Sequence, residues 1–181
     1  MLDNIKGKIF ELDELQRRIA GWRIRSERIV FTNGCFDLLH LGHISYLSEA
    51  KALGDKLIIG LNADDSVKKL KGSKRPINDS ESRAMMLASF SFVDAVVLFE
   101  EETPLRLITT LAPDVLVKGG DYKLNQIVGH DVVLKQGGKV EIIPFLEGYS
   151  STKIVSRIKG CLLYTSPSPR DATLSRMPSS A

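Results

Sequence analysis

Short apolar runs alternate along the chain with longer segments in which apolar residues return every three or four positions. A short run bounded by turn residues predicts a buried strand, whereas the longer spacing predicts an amphipathic helix. The predicted strands are 28–32, 56–61, 94–99, 114–118 and 139–144. The predicted helices are 12–24, 41–53, a short one within 63–78, 79–90, 103–111, 127–136, and a last one that Ser150 or Ser151 caps and that runs through Ile158.

Strands that alternate with helices are typical of a parallel sheet that is covered on both faces. Crossovers between parallel strands are right-handed, so the order predicts an α/β, doubly wound, Rossmann-like domain with a five-stranded parallel sheet. We assign this domain to residues 1–160. Ligands of such sheets bind beyond the carboxyl ends of the strands, so we expect the functional residues to lie there.

The last segment, residues 161–181, breaks the pattern. It holds five serines and three of the chain's seven prolines, without periodicity. This composition predicts a non-globular tail, for which a natural flexible terminus is one interpretation. The segment also resembles the translated read-through of a sequencing-library adapter, and we therefore expect a sequence artefact that is foreign to the fold.

Composition and charge limit the classes of partner. The formal net charge of +3 is too mild to indicate nucleic acid, but it suits small anionic substrates. Two distant cysteines, Cys35 and Cys161, do not make a disulfide framework. The N-terminus lacks the apolar region of a signal peptide, and no apolar run is long enough for a membrane span. We expect a cytoplasmic protein without a membrane partner, and a homo-oligomer remains open.

The most informative segment is FTNGCFDLLHLGH, residues 31–43, at the end of the first predicted strand. Its turn allows backbone N–H groups to face a phosphate, and the next helix points its positive end to the same place. Gly42 allows close approach of a ligand, and His40 and His43 bracket it. Imidazoles there donate hydrogen bonds to phosphoryl oxygens as charge develops. The expected ligand-binding residues of this turn are Thr32, Asn33, Gly34, Cys35, Phe36 and Gly42.

Other residues follow later strands. The basic stretch 68–75 is either a solvated face or a contact to phosphates, and within it we choose Lys71 as catalytic and Arg75 as ligand-binding. Arg83 is expected to reach the same anions, whereas Asp64 either orients a bound group or caps a helix. The segment Lys118, Gly119, Gly120, Asp121, Tyr122 is either an ordinary turn or a site for sugar hydroxyls or a base. No metal site is predicted, because the histidine pair has no third ligand nearby in sequence.

His40-Leu41-Gly42-His43 matches the HxGH signature of the nucleotidyltransferase superfamily. The chain further resembles the adenylyltransferases of ADP-heptose synthesis over roughly residues 8–159. The segments that carry this resemblance are 32–43, 67–78 with KRPIN, 103–105, 117–123 with GGDY, and 149–154. HxGH alone indicates only the superfamily, and the KRPIN and GGDY segments favour the heptose family.

The resemblance implies transfer of AMP from ATP to D-glycero-D-manno-heptose 1-phosphate, with release of pyrophosphate. It implies direct attack by the sugar phosphate, Mg²⁺ held mainly by the ATP phosphates, and phosphate contacts at Ser151 and Thr152, which otherwise serve only as helix caps. In that family the domain is often fused to a sugar kinase; here we expect a separate kinase, with a stand-alone enzyme or a fragment left open. The alternatives are another nucleotidyltransferase, such as a glycerol-3-phosphate cytidylyltransferase, and a non-catalytic nucleotide-binding module.

Overall fold

A computed structural model describes residues 1–162 of the chain. The strands in this part of the chain are β1 Ile9–Phe10, β2 Ile29–Gly34, β3 Lys56–Asn62, β4 Ala95–Phe99, β5 Val115–Gly119 and β6 Lys139–Ile143. The helices are α1 Leu2–Lys6, α2 Leu12–Ile24, α3 Leu41–Lys51, α4 Asp64–Lys71, α5 Ser80–Ala88, α6 Leu105–Leu111, α7 His130–Lys135 and α8 Ser151–Leu162, with a 3₁₀ turn at Leu124–Gln126.

All strand pairs are parallel, and the strands lie in the order β1-β4-β3-β2-β5-β6. The predicted α/β class and parallel sheet are therefore confirmed. The prediction of five strands was wrong, because the sheet has six. The additional strand, β1, contributes two residues, Ile9 paired with Val96 and Phe10 with Val97, and two residues are too few to produce a recognisable period.

The order places β2 in the middle of the sheet, between β3 and β5. The chain leaves β2 for one side of the sheet and returns to the other side with β5, so the strand order reverses at β2. In doubly wound sheets a ligand crevice forms at such a reversal, beyond the carboxyl ends of the strands. The residues after β2, β3 and β5 therefore meet at one edge.

Alternate residues of the central strands face two separate apolar cores. Ile29 and Phe31 of β2 pack with Leu15 and Trp22 of α2 on one face. Val30 packs on the other face in the core that also holds residues of α3 and α5. All three strand residues are fully buried. Burying such a side chain contributes about 1.5–3 kcal/mol, and the two cores fix the register of β2 and hence the turn that follows it.

Most predicted helices are present, with α2 at the predicted bounds. Asp79 caps α5, since its carboxylate accepts a hydrogen bond from the backbone N–H of Ser82 at 2.7 Å. The last helix is longer than predicted and continues through Leu162. The predicted tail therefore overlaps α8 at residues 161–162, and its remainder, 163–181, lies outside the described residues. Among the described residues, no helix is long and apolar enough to span a membrane.

Candidate active site

His40 and His43 lie against each other at the start of α3. His40 is the extended residue that precedes the helix, and its carbonyl accepts the backbone N–H of His43 at 2.9 Å. The two rings stack with centroids 3.9 Å apart and planes 23° apart. A side chain at Gly42 would place its Cβ 3.1 Å from His40 Nδ1 and 3.2 Å from Tyr149 Cβ. Glycine is therefore needed here first of all so that the His40 ring can fold back over the helix start.

Burial keeps this histidine pair uncharged. Desolvation, followed by the charges of His40 and Lys71, lowers the pKa of His43 to about 4. Desolvation also lowers the pKa of His40. Nδ1 of each ring is buried without a hydrogen-bond partner among the described residues. A neutral imidazole carries one ring N–H, which can donate a hydrogen bond to a phosphate oxygen.

The turn after β2 is supported from beneath by Tyr46 of α3. The Tyr46 hydroxyl forms hydrogen bonds with the Thr32 hydroxyl and, at 3.3 Å, with the carbonyl of Val117. Burial raises the pKa of Tyr46, so the phenol stays protonated. Thr32 is fully buried, and the Tyr46 hydroxyl therefore ties α3 to both β2 and β5. Because the whole residue is buried and lines neither cavity, Thr32 supports the turn, and the ligand contact expected from the sequence is not found.

Phe36 also serves the turn more than a ligand. It adopts a positive φ of 43° and is buried, and its ring meets the His43 ring edge-on with centroids 5.5 Å apart. A Cβ at Gly34 would lie 3.0 Å from the Phe36 ring. Gly34 is thus required by the packing of this aromatic ring. A strained, non-glycine residue held by its neighbours is a recurrent feature of functional turns.

Two cavities open at this edge of the sheet, and Lys71 lines both. The first, of about 260 Å³, contains His40, Gly42 and His43 and reaches the start of α8. The second, of about 400 Å³, lies beyond β2, β3 and β5. Its polar lining comes from Asn33, Cys35, Asn62, Glu102, Thr103, Lys118, Tyr122 and Gln126. Among the described residues, Lys71 forms no ion pair or hydrogen bond through its side chain, so its ammonium group is available at the junction.

Lys118 and Asn33 join two strands in the floor of the second cavity. Lys118 Nζ donates to Asn33 Oδ1 at 3.3 Å. Desolvation lowers the pKa of Lys118. Burial has the opposite effect on Cys35: it raises the pKa of the thiol, although the charge of Lys71 acts to lower it. The thiol therefore stays protonated and is a poor nucleophile. The cavity therefore offers cationic and hydroxyl- or amide-bearing groups, which suit a phosphorylated, hydroxyl-rich ligand.

The glycine pair after β5 is explained mainly by an aromatic ring. A Cβ at Gly119 or at Gly120 would lie 2.8 Å from the Phe145 ring. Gly120 also has a φ of +115°, which favours glycine. Phe145 itself is 65% exposed and lines the first cavity. The neighbouring Asp121 and Tyr122 are exposed, and only Tyr122 is part of a cavity wall, that of the second cavity.

The start of α8 forms the far wall of the first cavity. Ser150 caps the helix, because its Oγ accepts the backbone N–H of Lys153 at 3.1 Å. Ser151 donates to the carbonyl of Leu38 at 3.3 Å, which ties α8 to the turn before His40. Ser151 and Thr152 line the cavity. The first turns of α3 and α8 thus face one space, and both bring the positive end of a helix to it.

Arg83 departs from the expectation of anion contact, because its side chain is completely buried. Its guanidinium donates to the carbonyls of Asn78, Cys35 and Asn62 at 3.0, 2.6 and 2.9 Å, and to Asp64 Oδ1 at 2.6 Å. The structure therefore corrects the expected roles of Arg83 and Asp64. The pair holds together the turns after β2 and β3 and the loop before α5.

Arg75 also has a protein partner, Asp37, which the sequence did not indicate as a functional residue. Its Nη1 donates to Asp37 Oδ2 at 2.5 Å, and the Asp37 side chain is 1% exposed. Arg75 lines neither cavity, so direct ligand contact is replaced by an ion pair with the turn. Asp37 gave no local signal of this role, because its partner is 38 positions away. Tyr46, Phe145 and Tyr149 were also missed, since aromatic residues in such patterns are indistinguishable from ordinary core.

These features are typical of a nucleotidyltransferase: the strand order reverses at β2, a neutral histidine pair lies at the start of α3, and an available lysine lies between two cavities. The chain belongs to the cytidylyltransferase-like family, whose pattern matches residues 31–157.

Relatives with known names agree with this family. The chain is 52% identical over 151 residues to the bifunctional protein HldE of Citrifermentans bemidjiense, a match that covers 83% of this chain and 31% of that protein. The corresponding protein of Geobacter metallireducens is 54% identical with the same coverage. The chain thus spans about a third of the length of these curated relatives.

Solved structures give the same fold. The lipopolysaccharide core biosynthesis protein of Thermoplasma volcanium is 33% identical, with a TM-score of 0.55 over 68% of this chain and 99% of the other. The pantoate-beta-alanine ligase of Francisella tularensis has a TM-score of 0.55 at 18% identity over 83% of this chain and 76% of the other, and this likeness concerns the fold alone.

Proposed function

We propose that this chain transfers AMP from ATP to a sugar 1-phosphate, D-glycero-D-manno-heptose 1-phosphate, giving ADP-heptose and pyrophosphate. The observation that carries the proposal is the neutral His40–His43 pair, which lines one cavity together with Lys71. The choice of a heptose rests on the HldE relatives and on the relative named for lipopolysaccharide core biosynthesis. Because those HldE proteins are about three times longer, this activity is proposed for the domain only.

In the proposed reaction, an oxygen of the sugar phosphate attacks the α-phosphorus of ATP. The new bond joins this oxygen to the α-phosphorus, and the bond from the α-phosphorus to the β-phosphate oxygen breaks, so pyrophosphate leaves with the electron pair. The phosphate is itself a sufficient nucleophile, and no covalent enzyme intermediate is needed. Catalysis then consists of positioning and of stabilising charge on the transferring group.

The two cavities suggest where each substrate lies. The first cavity has two helix N-termini, Gly42 and the exposed ring of Tyr149, which suits the phosphates and nucleoside of ATP. The second has Asn33, Lys118 and Tyr122, which suit the hydroxyls and phosphate of the acceptor. Lys71 lines both, and there it would neutralise the phosphates of both substrates at the point of transfer.

MgATP is the proposed co-substrate, with Mg²⁺ held by phosphates and water. Within residues 1–162, no group of three or more His, Cys, Asp or Glu side chains is arranged to hold a metal ion. A cation that enters with the nucleotide needs no such cage, since Mg²⁺ commonly keeps several waters and is bound through substrate phosphates. Bound in this way, the cation would neutralise phosphate charge, while the histidines and Lys71 act on the transferring group.

The test is a pyrophosphate-release assay with purified protein, MgATP and the heptose 1-phosphate, with product identified by mass. His43→Ala is expected to lower kcat on the order of a hundredfold or more if His43 stabilises the transition state. A loss confined to KM would make it a ground-state contact. Turnover with CTP and glycerol 3-phosphate but not with ATP and the heptose would refute the substrate assignment, and nucleotide binding without any turnover would favour a binding module.

A further inference from the structure

We propose that Asp37 is a positioning residue that clamps the loop of residues 72–78 onto the turn after β2 and thereby holds Lys71 at the junction of the two cavities. The inference rests on the proposed function, because it assigns Lys71 to the transfer step. It also gives the RPIN segment, residues 75–78, a structural role as the partner of Asp37 and not a role in ligand contact.

The Asp37 carboxylate collects three donors from this loop. Oδ2 accepts from Arg75 Nη1 at 2.5 Å, and Oδ1 accepts from the backbone N–H groups of Ile77 and Asn78 at 2.7 and 3.0 Å. The Asn78 side-chain amide donates in return to the Asp37 carbonyl at 2.9 Å. Burial of Asp37 is therefore compensated on both oxygens, as a buried carboxylate requires.

The clamp keeps its charge at neutral pH. Burial acts to raise the pKa of Asp37, but hydrogen bonds from Asn78, Arg75 and Ile77 outweigh it and hold the pKa below its usual range. Arg75 is thereby neutralised by its partner. Lys71 has no such partner among the described residues and borders both cavities, so its ammonium group is available for phosphates.

The segment between Lys71 and Arg75 has little other support. Gly72 ends α4 with a φ of +93°, and nothing lies within 4 Å of where its Cβ would be. The backbone N–H of Arg75 donates to the Gly72 carbonyl at 3.0 Å. When Asp37 holds Arg75 in place, this hydrogen bond therefore also holds the end of α4. Arg83 holds the other end through the Asn78 carbonyl. Releasing Asp37 would therefore free the side of the loop that adjoins Lys71.

Two variants of the full chain test the clamp. Asp37→Asn keeps an oxygen for the backbone donors but sets an amide against Arg75, and Arg75→Gln removes the cation while leaving the buried carboxylate in place. Arg25→Gln is the matched control, because it breaks an exposed ion pair with Glu27, at 2.9 Å, that borders neither cavity of the site. Limited trypsin cleavage after Lys71 and Lys74 reports on the loop independently of catalysis.

We expect both clamp variants to be cut several times faster than wild type and Arg25→Gln at the wild-type rate. We expect kcat/KM to fall on the order of ten- to a hundredfold, since small displacements of a catalytic group have such effects. In a Lys71→Ala background the same changes should lower kcat/KM by only about twofold, because residues that act as a unit are not additive. Arg75→Lys should restore part of the loss.

Unchanged cleavage of Asp37→Asn and Arg75→Gln would overturn the clamp. Faster cleavage with an equal loss of activity in both backgrounds would overturn positioning through Lys71 and leave a merely structural ion pair. If the wild type turns over no substrate, the proposed function fails separately; the same variants are then compared by their Kd for MgATP. A Kd raised equally with and without Lys71 would again overturn the proposal.

Discussion

The depressed pKa of His43 makes the stability of the fold depend on pH in a way that one substitution isolates. In the unfolded chain an ordinary histidine has a pKa near 6.5, whereas burial holds the pKa of His43 in the fold at about 4. At pH 8 the His43 ring is neutral in both the folded and the unfolded chain, so its titration does not change the free energy of unfolding. As the pH falls below about 6.5, the unfolded state binds a proton and the folded state does not, so folding is progressively disfavoured until the folded form also titrates near pH 4.

The size of the effect follows from those two pKa values. At pH 5 the unfolded imidazole is almost fully protonated and the folded one is about nine-tenths neutral, which lowers the free energy of unfolding by about 2 kcal/mol relative to pH 8. For a chain of this length, that corresponds to a decrease in Tm of about 4–8 °C.

The assay compares wild type with His43→Asn by urea denaturation at pH 8 and at pH 5. Other groups titrate in both proteins, so the difference between the two pH dependences belongs to His43 and its interaction with His40. We expect His43→Asn to lose about 2 kcal/mol less than wild type on acidification. Identical losses, or an NMR titration of the His43 ring with a midpoint near 6.5, would show that burial does not depress the pKa of this group.

Two further predictions concern the support of the site, both measured by urea unfolding. Gly120→Ala should destabilise the fold by about 1–3 kcal/mol, because its φ is +115° and the new Cβ meets Phe145. Gly137→Ala, at a φ of +81° with open space around it, should show only the backbone cost of about 1 kcal/mol, and equal losses would contradict the role of the Phe145 contact. Tyr46→Phe should cost about 1–2 kcal/mol, since it leaves the buried Thr32 hydroxyl without its partner, and an unchanged midpoint would argue against that hydrogen bond.

The sequence predicted the elements wherever a period was long enough to read. Apolar residues at Leu15, Ile19 and Trp22 determine the buried face of α2, and the predicted bounds of that helix agree with the structure. The central strands β2 and β3 were found for a similar reason, because both are buried on two faces and therefore apolar throughout. The two-residue β1 has no period of its own, and it becomes a strand only because β4 lies beside it.

The general location of the site could also be predicted. A glycine-containing turn and a helix start after a buried strand specify a place where backbone donors converge, and that place holds His40 and His43. What could not be predicted was which nearby polar residues face the cavities. In sequence, Lys71 and Arg75 are two cations of one basic stretch. In the fold, one borders both cavities and the other is paired with Asp37.

The sequence by itself determined the order of the five longer strands and the helices between them, the turn that carries the histidine pair and the conformational freedom of its glycines, because these depend on neighbours within a few positions. The tertiary structure decided the depressed pKa of His43, the burial of Arg83 and the pairing of Asp37 with a residue 38 positions away. Desolvation and hydrogen-bond partners arise only when distant segments pack together. They therefore decide which polar residues around HxGH hold the turns in place and which face the cavities.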